Sequence, residues 1–260
     1  MKIAKNHEAY LKIKNALKKN NNKFQTVSDD LQVLKIAVDN NLEIDTLLYC
    51  YEIEYHEDTK LLLNELIKRA KESYEISLSS YNALALKENH AGIIALINIK
   101  EYSFNDFKNK EFLFVLDRLE IPGNIGTIYR TLESIKCEGV ILVDPVSKLN
   151  NEKVTSSSRG CNLIIPTINA TYDEALNYLL NNGYDIFLGE PELGKSYQEY
   201  DYKNKIAIVV GNERFGINPD WYNHNNKKVF IPMEGSQNSL NVSVAASVIA
   251  YEAYMKRKNK

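Results

Sequence analysis

The chain has 260 residues, enough for one large domain or two modest ones. Apolar residues make up 44% and charged residues 25%, the ordinary balance of a soluble globular protein. A formal net charge of −2 excludes a global basic signature, so attraction to nucleic acid would have to come from local patches.

The first hundred residues alternate helical and strand-like patterns. Residues 9–19 read as a short amphipathic helix, 24–27 as a strand and 31–40 as a helix with apolar positions at Leu31, Val33, Leu34, Ile36, Ala37 and Val38. Residues 20–22, a run of asparagines, read as a loop. A strand is expected at 44–50. A helix follows at 58–70, with Leu61, Leu62, Leu63, Leu66 and Ile67 as its buried stripe. Residues 74–78 suit a strand, 79–85 a helix and 93–99 a strand. The polar, aperiodic segment 101–110 is expected to link this small α/β domain (1–105) to a second one (106–260).

Beyond that linker, short and almost continuous apolar runs appear at 112–116, 139–143, 163–165, 186–188, 206–210 and 229–231. Such runs suit strands buried on both faces, as in a parallel sheet. Helical patterns lie between them at 124–135, 171–181 and 239–255. The alternation predicts a doubly wound α/β domain, in which ligands bind beyond the C-terminal ends of the strands.

Two charge clusters are candidate nucleic-acid patches: Lys12, Lys14, Lys18, Lys19 and Lys23, and Lys256, Arg257, Lys258 and Lys260. The plainer readings are a solvated helix face and a frayed terminus. Cys50, Cys137 and Cys161 form no Cys-x-x-Cys pair and do not cluster with His7, His56, His90 or His224. That pattern argues against disulfides or a metal site and suits a reducing cytoplasm. Residues 1–10 lack the apolar run of a signal peptide, and no apolar stretch approaches the roughly 18 residues of a membrane span.

Three segments carry candidate chemistry. In Leu116-Asp117-Arg118-Leu119-Glu120-Ile121-Pro122-Gly123-Asn124-Ile125-Gly126-Thr127-Ile128-Tyr129-Arg130-Thr131, a strand ends at a Pro-Gly turn and a helix is expected to open with Asn124 as its N-cap. Arg130 lies six residues on, about 600° of helical rotation, so the two side chains converge only if Asn124 belongs to the loop. The spacing Gly123-x-x-Gly126 lacks the third glycine of a dinucleotide fingerprint, which argues against a nicotinamide oxidoreductase. In Val210-Gly211-Asn212-Glu213-Arg214-Phe215-Gly216, Gly211 removes a side chain where a ligand could approach and Glu213 stands at a strand's lip. In Ile231-Pro232-Met233-Glu234-Gly235-Ser236-Gln237-Asn238-Ser239-Leu240-Asn241-Val242-Ser243-Val244-Ala245, a strand stops at a proline and Ser239 and Asn241 stand at a helix entrance. Taken singly, a surface arginine and plain N-capping account for the first and third segments equally well, and an ordinary strand-to-loop turn accounts better for the second.

Taken together, they resemble the motifs of the SpoU/TrmH branch of SPOUT RNA methyltransferases: Asn-x-Gly-x-x-x-Arg-Thr, a strand ending Gly-x-Glu-x-x-Gly, and Ile-Pro-Met followed by Ser-Leu-Asn-Val-Ser-Val-Ala. The likeness runs over residues 116–250. The wording of 154–160 (Val-Thr-Ser-Ser-Ser-Arg-Gly) with Gly-Asn-Ile-Gly is most similar to the thiostrepton-resistance type of rRNA methyltransferase. The first half resembles an L30e/L7Ae-like RNA-binding domain, although Ser28-Asp29 stands where a Glu-Gly pair is usual.

The resemblance implies S-adenosylmethionine-dependent methylation of a ribose 2′-hydroxyl of RNA, ribosomal or transfer, by a cytoplasmic homodimer with a trefoil-knotted C-terminal part and no metal. It implies that Arg130 takes or polarises the hydroxyl proton. A guanidinium normally stays protonated, so an orienting role remains open. By the same likeness Asn124 positions Arg130 or the ribose, Ser239 and Asn241 shape the catalytic pocket, and Glu213 organises it. The cofactor would lie against Gly211, Ile231 and Leu240, with Leu188 and Gly189 nearby. A non-catalytic RNA-binding protein of the same fold and a base-nitrogen methyltransferase are the competing readings; Asn124, Arg130 and the Ser-Leu-Asn-Val string speak against them.

Overall fold

The computed structural model describes residues 1–18, 22–86 and 91–258, so Lys19, Asn20, Asn21, His90 and Lys260 lie outside the described residues. The chain packs as two compact units, Met1–Lys100 with Lys148–Ile164, and Glu101–Ser147 with Ile165–Lys260.

In the first unit α1 (Glu8–Lys18), β1 (Gln25–Ser28), α2 (Leu31–Asp39), β2 (Ile44–Cys50), α3 (Glu57–Arg69), β3 (Ala70–Ile76), α4 (Leu78–Asn82) and β4 (Ile93–Asn98) follow in order. The sheet runs β1-β4-β2-β3, antiparallel except for the β2–β3 pair. Tyr10, Ile13, Leu48, Tyr81, Ile94 and Leu96 fill its core. The expected stripe of α3 is narrower than its leucine run: Leu63 and Leu66 are buried, whereas Leu61 is 65% exposed. Three consecutive helical residues fan over about 200°, more than one buried face can take. The strand expected at 74–78 begins earlier, at Ala70, directly after α3.

The described residues of the first basic cluster are partly engaged. Lys12 pairs with Asp45 and Glu72, and Lys23 lies over the Phe24 ring. The segment 148–164 belongs to this unit rather than to the second. Its helix, here α6 (Glu152–Ser157), is capped by the Asn151 side chain. The buried Asn162 amide donates to Thr155 Oγ1 (3.1 Å) and Leu149 O (3.0 Å) and accepts from Ser158 Oγ (2.7 Å). Thr155 Oγ1 in turn lies 3.3 Å from Thr26 Oγ1. The serine-rich string is therefore largely a satisfied polar core.

The second unit opens with a short 3₁₀ turn, Phe104–Phe107, inside the expected linker. Phe107 is fully buried there, and a Cβ on Gly139 would come within 2.5 Å of its ring. The elements are β5 (Phe112–Asp117), α5 (Pro122–Ser134), β6 (Gly139–Val143), β7 (Thr167–Ala170), α7 (Tyr172–Asn181), β8 (Asp185–Gly189), β9 (Lys195–Ser196), β10 (Ile206–Val210), β11 (Lys227–Phe230) and α8 (Val242–Lys258). They form a seven-stranded sheet, β7-β6-β5-β10-β8-β11-β9, parallel at every pairing.

Leu113, Val115, Ile141, Leu188 and Val209 enter one core with Trp221 and α7, while alternate residues such as Phe114, Leu142 and Ile208 are equally buried. Burial on both faces is what the continuous apolar runs require. One run is not a strand: residues 161–163 form a 3₁₀ turn, and the strand is Thr167–Ala170. Leu163 and Ile165 are buried by packing, without ladder pairing. Lys256, Arg257 and Lys258, the described part of the C-terminal cluster, are not frayed. They sit on the last turn of α8, where Arg257 pairs with Glu111 (3.0 Å) and Lys256 with Glu252 (3.5 Å). Among the described residues no helix is long and apolar enough to cross a membrane.

Candidate active site

The C-terminal end of β5 sets the first wall. Asp117, fully buried, accepts from the N–H of Asn218 (2.6 Å), and Arg118 takes a left-handed conformation (φ 56°) to turn the chain. Helix α5 then opens with Pro122 at its first position, after an N-cap, Ile121, that has no capping side chain. The missing cap comes from Glu213. Its carboxylate accepts from the N–H groups of Glu120 and Ile121, both at 3.1 Å, and from Asn124 Nδ2 at 2.9 Å. A negative charge is favoured at a helix N-terminus. Partial burial pushes this carboxyl up, but the hydrogen bonds from Asn124 and the backbone outweigh it and hold its pKa below the ordinary value.

Asn124 is therefore not the N-cap but a buried residue inside the first turn of α5. Its Oδ1 accepts from Asn241 Nδ2 at 3.1 Å. Asn241 Oδ1 accepts from the Ser243 N–H (2.9 Å) and hydroxyl (2.7 Å), which caps α8. Glu213, Asn124 and Asn241, one from each sequence segment, thus form a continuous hydrogen-bonded chain. Helix α8 begins at Val242 and leaves Ser239 in the preceding loop.

The turn after β10 is held from inside by Asn212, a buried residue that sequence reasoning did not single out. Its amide donates to Arg118 O (2.8 Å) and Glu120 Oε1 (3.2 Å), and its Oδ1 accepts from the N–H groups of Arg214 (2.9 Å) and Phe215 (3.1 Å). Paired backbone bonds join Asn212 and Gly216. This return crowds Gly211: a Cβ there would stand 2.2 Å from Ile217 N. Glycine is thus required by the protein's own backbone.

A cavity of about 450 Å³ lies at the C-terminal ends of β8, β10 and β11, against the head of α8. It brings together Asn124, Glu213, Ser239, Asn241, Gly189, Gly211, Ile231 and Leu240. Val210, Ile217, Val242 and Ile249 add apolar wall. Two expected residues do not line it. Leu188 points into the core on the opposite pleat, leaving Gly189 at the rim. Arg130 is exposed on α5, on a different side from Asn124, as the helical rotation requires.

Glu190 is a wall residue that the sequence did not mark. Burial raises its pKa, against a hydrogen bond from the Tyr222 hydroxyl and the nearby charge of Lys228. Only the fold brings Glu190 and Tyr222 together. Among the described residues no group of three or more His, Cys, Asp or Glu is placed to hold a metal ion.

Residues 111–251 match the SpoU rRNA Methylase family. The chain belongs to this family. A Staphylococcus aureus (strain COL) protein with the provisional description of a TrmH family tRNA/rRNA methyltransferase is 33% identical over 211 residues, covering 76% of this chain and 85% of that protein. The fold of the SpoU family is shared with solved structures. An AdoMet-bound rRNA methyltransferase from Sinorhizobium meliloti has a TM-score of 0.82 at 21% identity, covering 97% of this chain and 96% of that one. A structure described as an RNA 2′-O ribose methyltransferase has a TM-score of 0.79 at 24% identity, covering 100% of both chains.

Proposed function

We propose that this SpoU-family chain methylates a ribose 2′-hydroxyl of ribosomal RNA, with S-adenosylmethionine as donor. The observation that carries the reading is the convergence of Glu213, Asn124 and Asn241, from three separate segments, on one cavity at the C-terminal edge of a parallel sheet. Ligands of open parallel sheets bind at such an edge. The family name and the S. meliloti neighbour's description favour ribosomal over transfer RNA.

The cavity fits the donor in size and chemistry. Its volume falls in the range of sites for drug-sized ligands. Ile217, Ile231, Leu240 and Ile249 can enclose an aromatic ring, and backbone groups at Gly189 and Gly211 can read its edge. The half-buried Glu190 carboxylate can accept from hydroxyl or ammonium groups. The bound donor supplies a methyl group already activated by positive sulfur. The chain's own residues must place a hydroxyl in line and see its proton removed. Asn124 is fixed through both ends of its amide, so it holds the geometry of the wall. Ser239 presents a hydroxyl at the mouth.

Arg130 does not line the cavity of its own chain, and this favours a homodimer in which each Arg130 serves the partner's cavity. Val244, Tyr251 and Met255 make a half-exposed apolar stripe along α8, spaced by seven and four residues. A second copy would cover such a stripe. The same reading gives the second unit a trefoil knot, makes the first an L30e/L7Ae-like RNA holder using Lys14 and Lys18, and places the enzyme in the cytoplasm.

Separate incubation of ribosomal and transfer RNA with the protein and methyl-labelled donor tests the proposal. Label is expected in the ribosomal fraction. Label confined to transfer RNA would contradict the target, and no label in either would sink the enzymatic reading in favour of a non-catalytic RNA-binding role.

A further inference from the structure

Phe215 is the most exposed large apolar side chain after Met1, with 73% of its surface open. A single exposed apolar residue needs no explanation on its own. This one stands at the tip of a stiff turn. The Asn212 side chain fixes the Arg214 and Phe215 amides, paired backbone bonds close the turn at Gly216, and Gly216 has φ 69°. Arg214 and Gly216, on either side, both line the cavity. Arg214 is exposed and its side chain makes no hydrogen bond or ion pair among the described residues. An open aromatic face and a free guanidinium are thus held side by side at the cavity mouth.

We propose that Phe215 is a stacking platform for an unpaired nucleobase beside the reacting ribose, with Arg214 taking the adjoining phosphate. This rests on the RNA reading above. A duplex keeps its bases stacked and shows only its 2′-hydroxyls in the minor groove, so an open aromatic ring at the cavity mouth finds a base partner only where a nucleotide has left the helical stack. An aromatic face replaces the stacking that the base gives up. Aromatic and basic residues together are the recurring equipment for single-stranded nucleic acid. The substrate is therefore an RNA loop, bulge or other unpaired segment rather than a continuous duplex. The apolar stripe suited to a second copy lies elsewhere, on α8.

Fluorescence anisotropy with a short labelled oligoadenylate and a blunt RNA duplex of equal charge tests this. Wild type should prefer the oligoadenylate. Phe215→Ala should weaken that binding roughly 5- to 100-fold and leave duplex binding unchanged, while Phe215→Trp retains it. Arg214→Ala should weaken both and flatten their salt dependence. With ribosomal RNA, Phe215→Ala should act mainly through KM, with unchanged affinity for the methyl donor by calorimetry. Oligoadenylate binding by Phe215→Ala equal to wild type would overturn the proposal, as would sedimentation showing that the variant alone falls to monomers. A wild-type protein that binds the donor yet neither binds nor methylates RNA would overturn the RNA reading, and the platform with it.

Discussion

Arg130 is the residue whose expected chemistry and observed placement are at odds. It is exposed, its side chain makes no hydrogen bond or ion pair among the described residues, and it lies outside the cavity that gathers most of the other site residues. A surface substitution of this kind leaves stability within about 0.5 kcal/mol. Arg130→Ala is therefore expected to fold and melt as wild type, to bind the methyl donor in calorimetry, and to lose methyl transfer. Loss of donor binding would refute its assignment to the acceptor side. Glu213 is the opposite case, with three donors on one carboxylate. Its folded pKa lies below the ordinary 4.5, so its stabilisation is full above that value and fades as pH falls through the folded pKa. Glu213→Gln should cost about 1 kcal/mol at neutral pH. The gap in melting temperature between the two proteins should close as pH falls below 4.5. A gap that stays constant with pH would show that the charge does not matter.

The elements themselves were readable wherever burial is continuous. β2, β6 and β10 coincide with their apolar runs because both faces of those strands are covered. Reading failed where apolarity and regular structure part company. Leu163 and Ile165 are buried in and beside a turn, and β7 is only four residues long, its buried positions interrupted by the exposed Asn169. Within the site, Gly211, Glu213 and Asn241 were visible as motif letters. Asn212 and the Glu190–Tyr222 contact were not, because their meaning lies in partners that only the fold brings near. Gly211 also gained a reason the sequence could not supply, the backbone of the turn after β10 packed onto it. Gly211→Ala should force that turn outward, cost about 1–3 kcal/mol and weaken donor binding. A variant with wild-type stability and affinity would show that the turn yields freely.

At the level of the whole molecule, the proposed enzyme is a pair of chains. Arg130 does not line its own chain's cavity, so the proposed pairing lets it serve the partner's, with the half-exposed stripe on α8 as the surface a second copy would cover. Complementation tests this. Arg130→Ala and Leu240→Arg should each be inactive alone. A mixture refolded together should recover about a quarter of wild-type activity, because each mixed dimer then holds one intact site. A mixture as inactive as its parts would mean that each site is built within one chain.

The central claim concerns the atom that receives the methyl group. Ribosomal RNA methylated by the protein with labelled donor can be digested to nucleosides and resolved by mass spectrometry. The label is expected to stay with the sugar when the base is cleaved away, as a 2′-O-methylribose. Label that leaves with the base would contradict it.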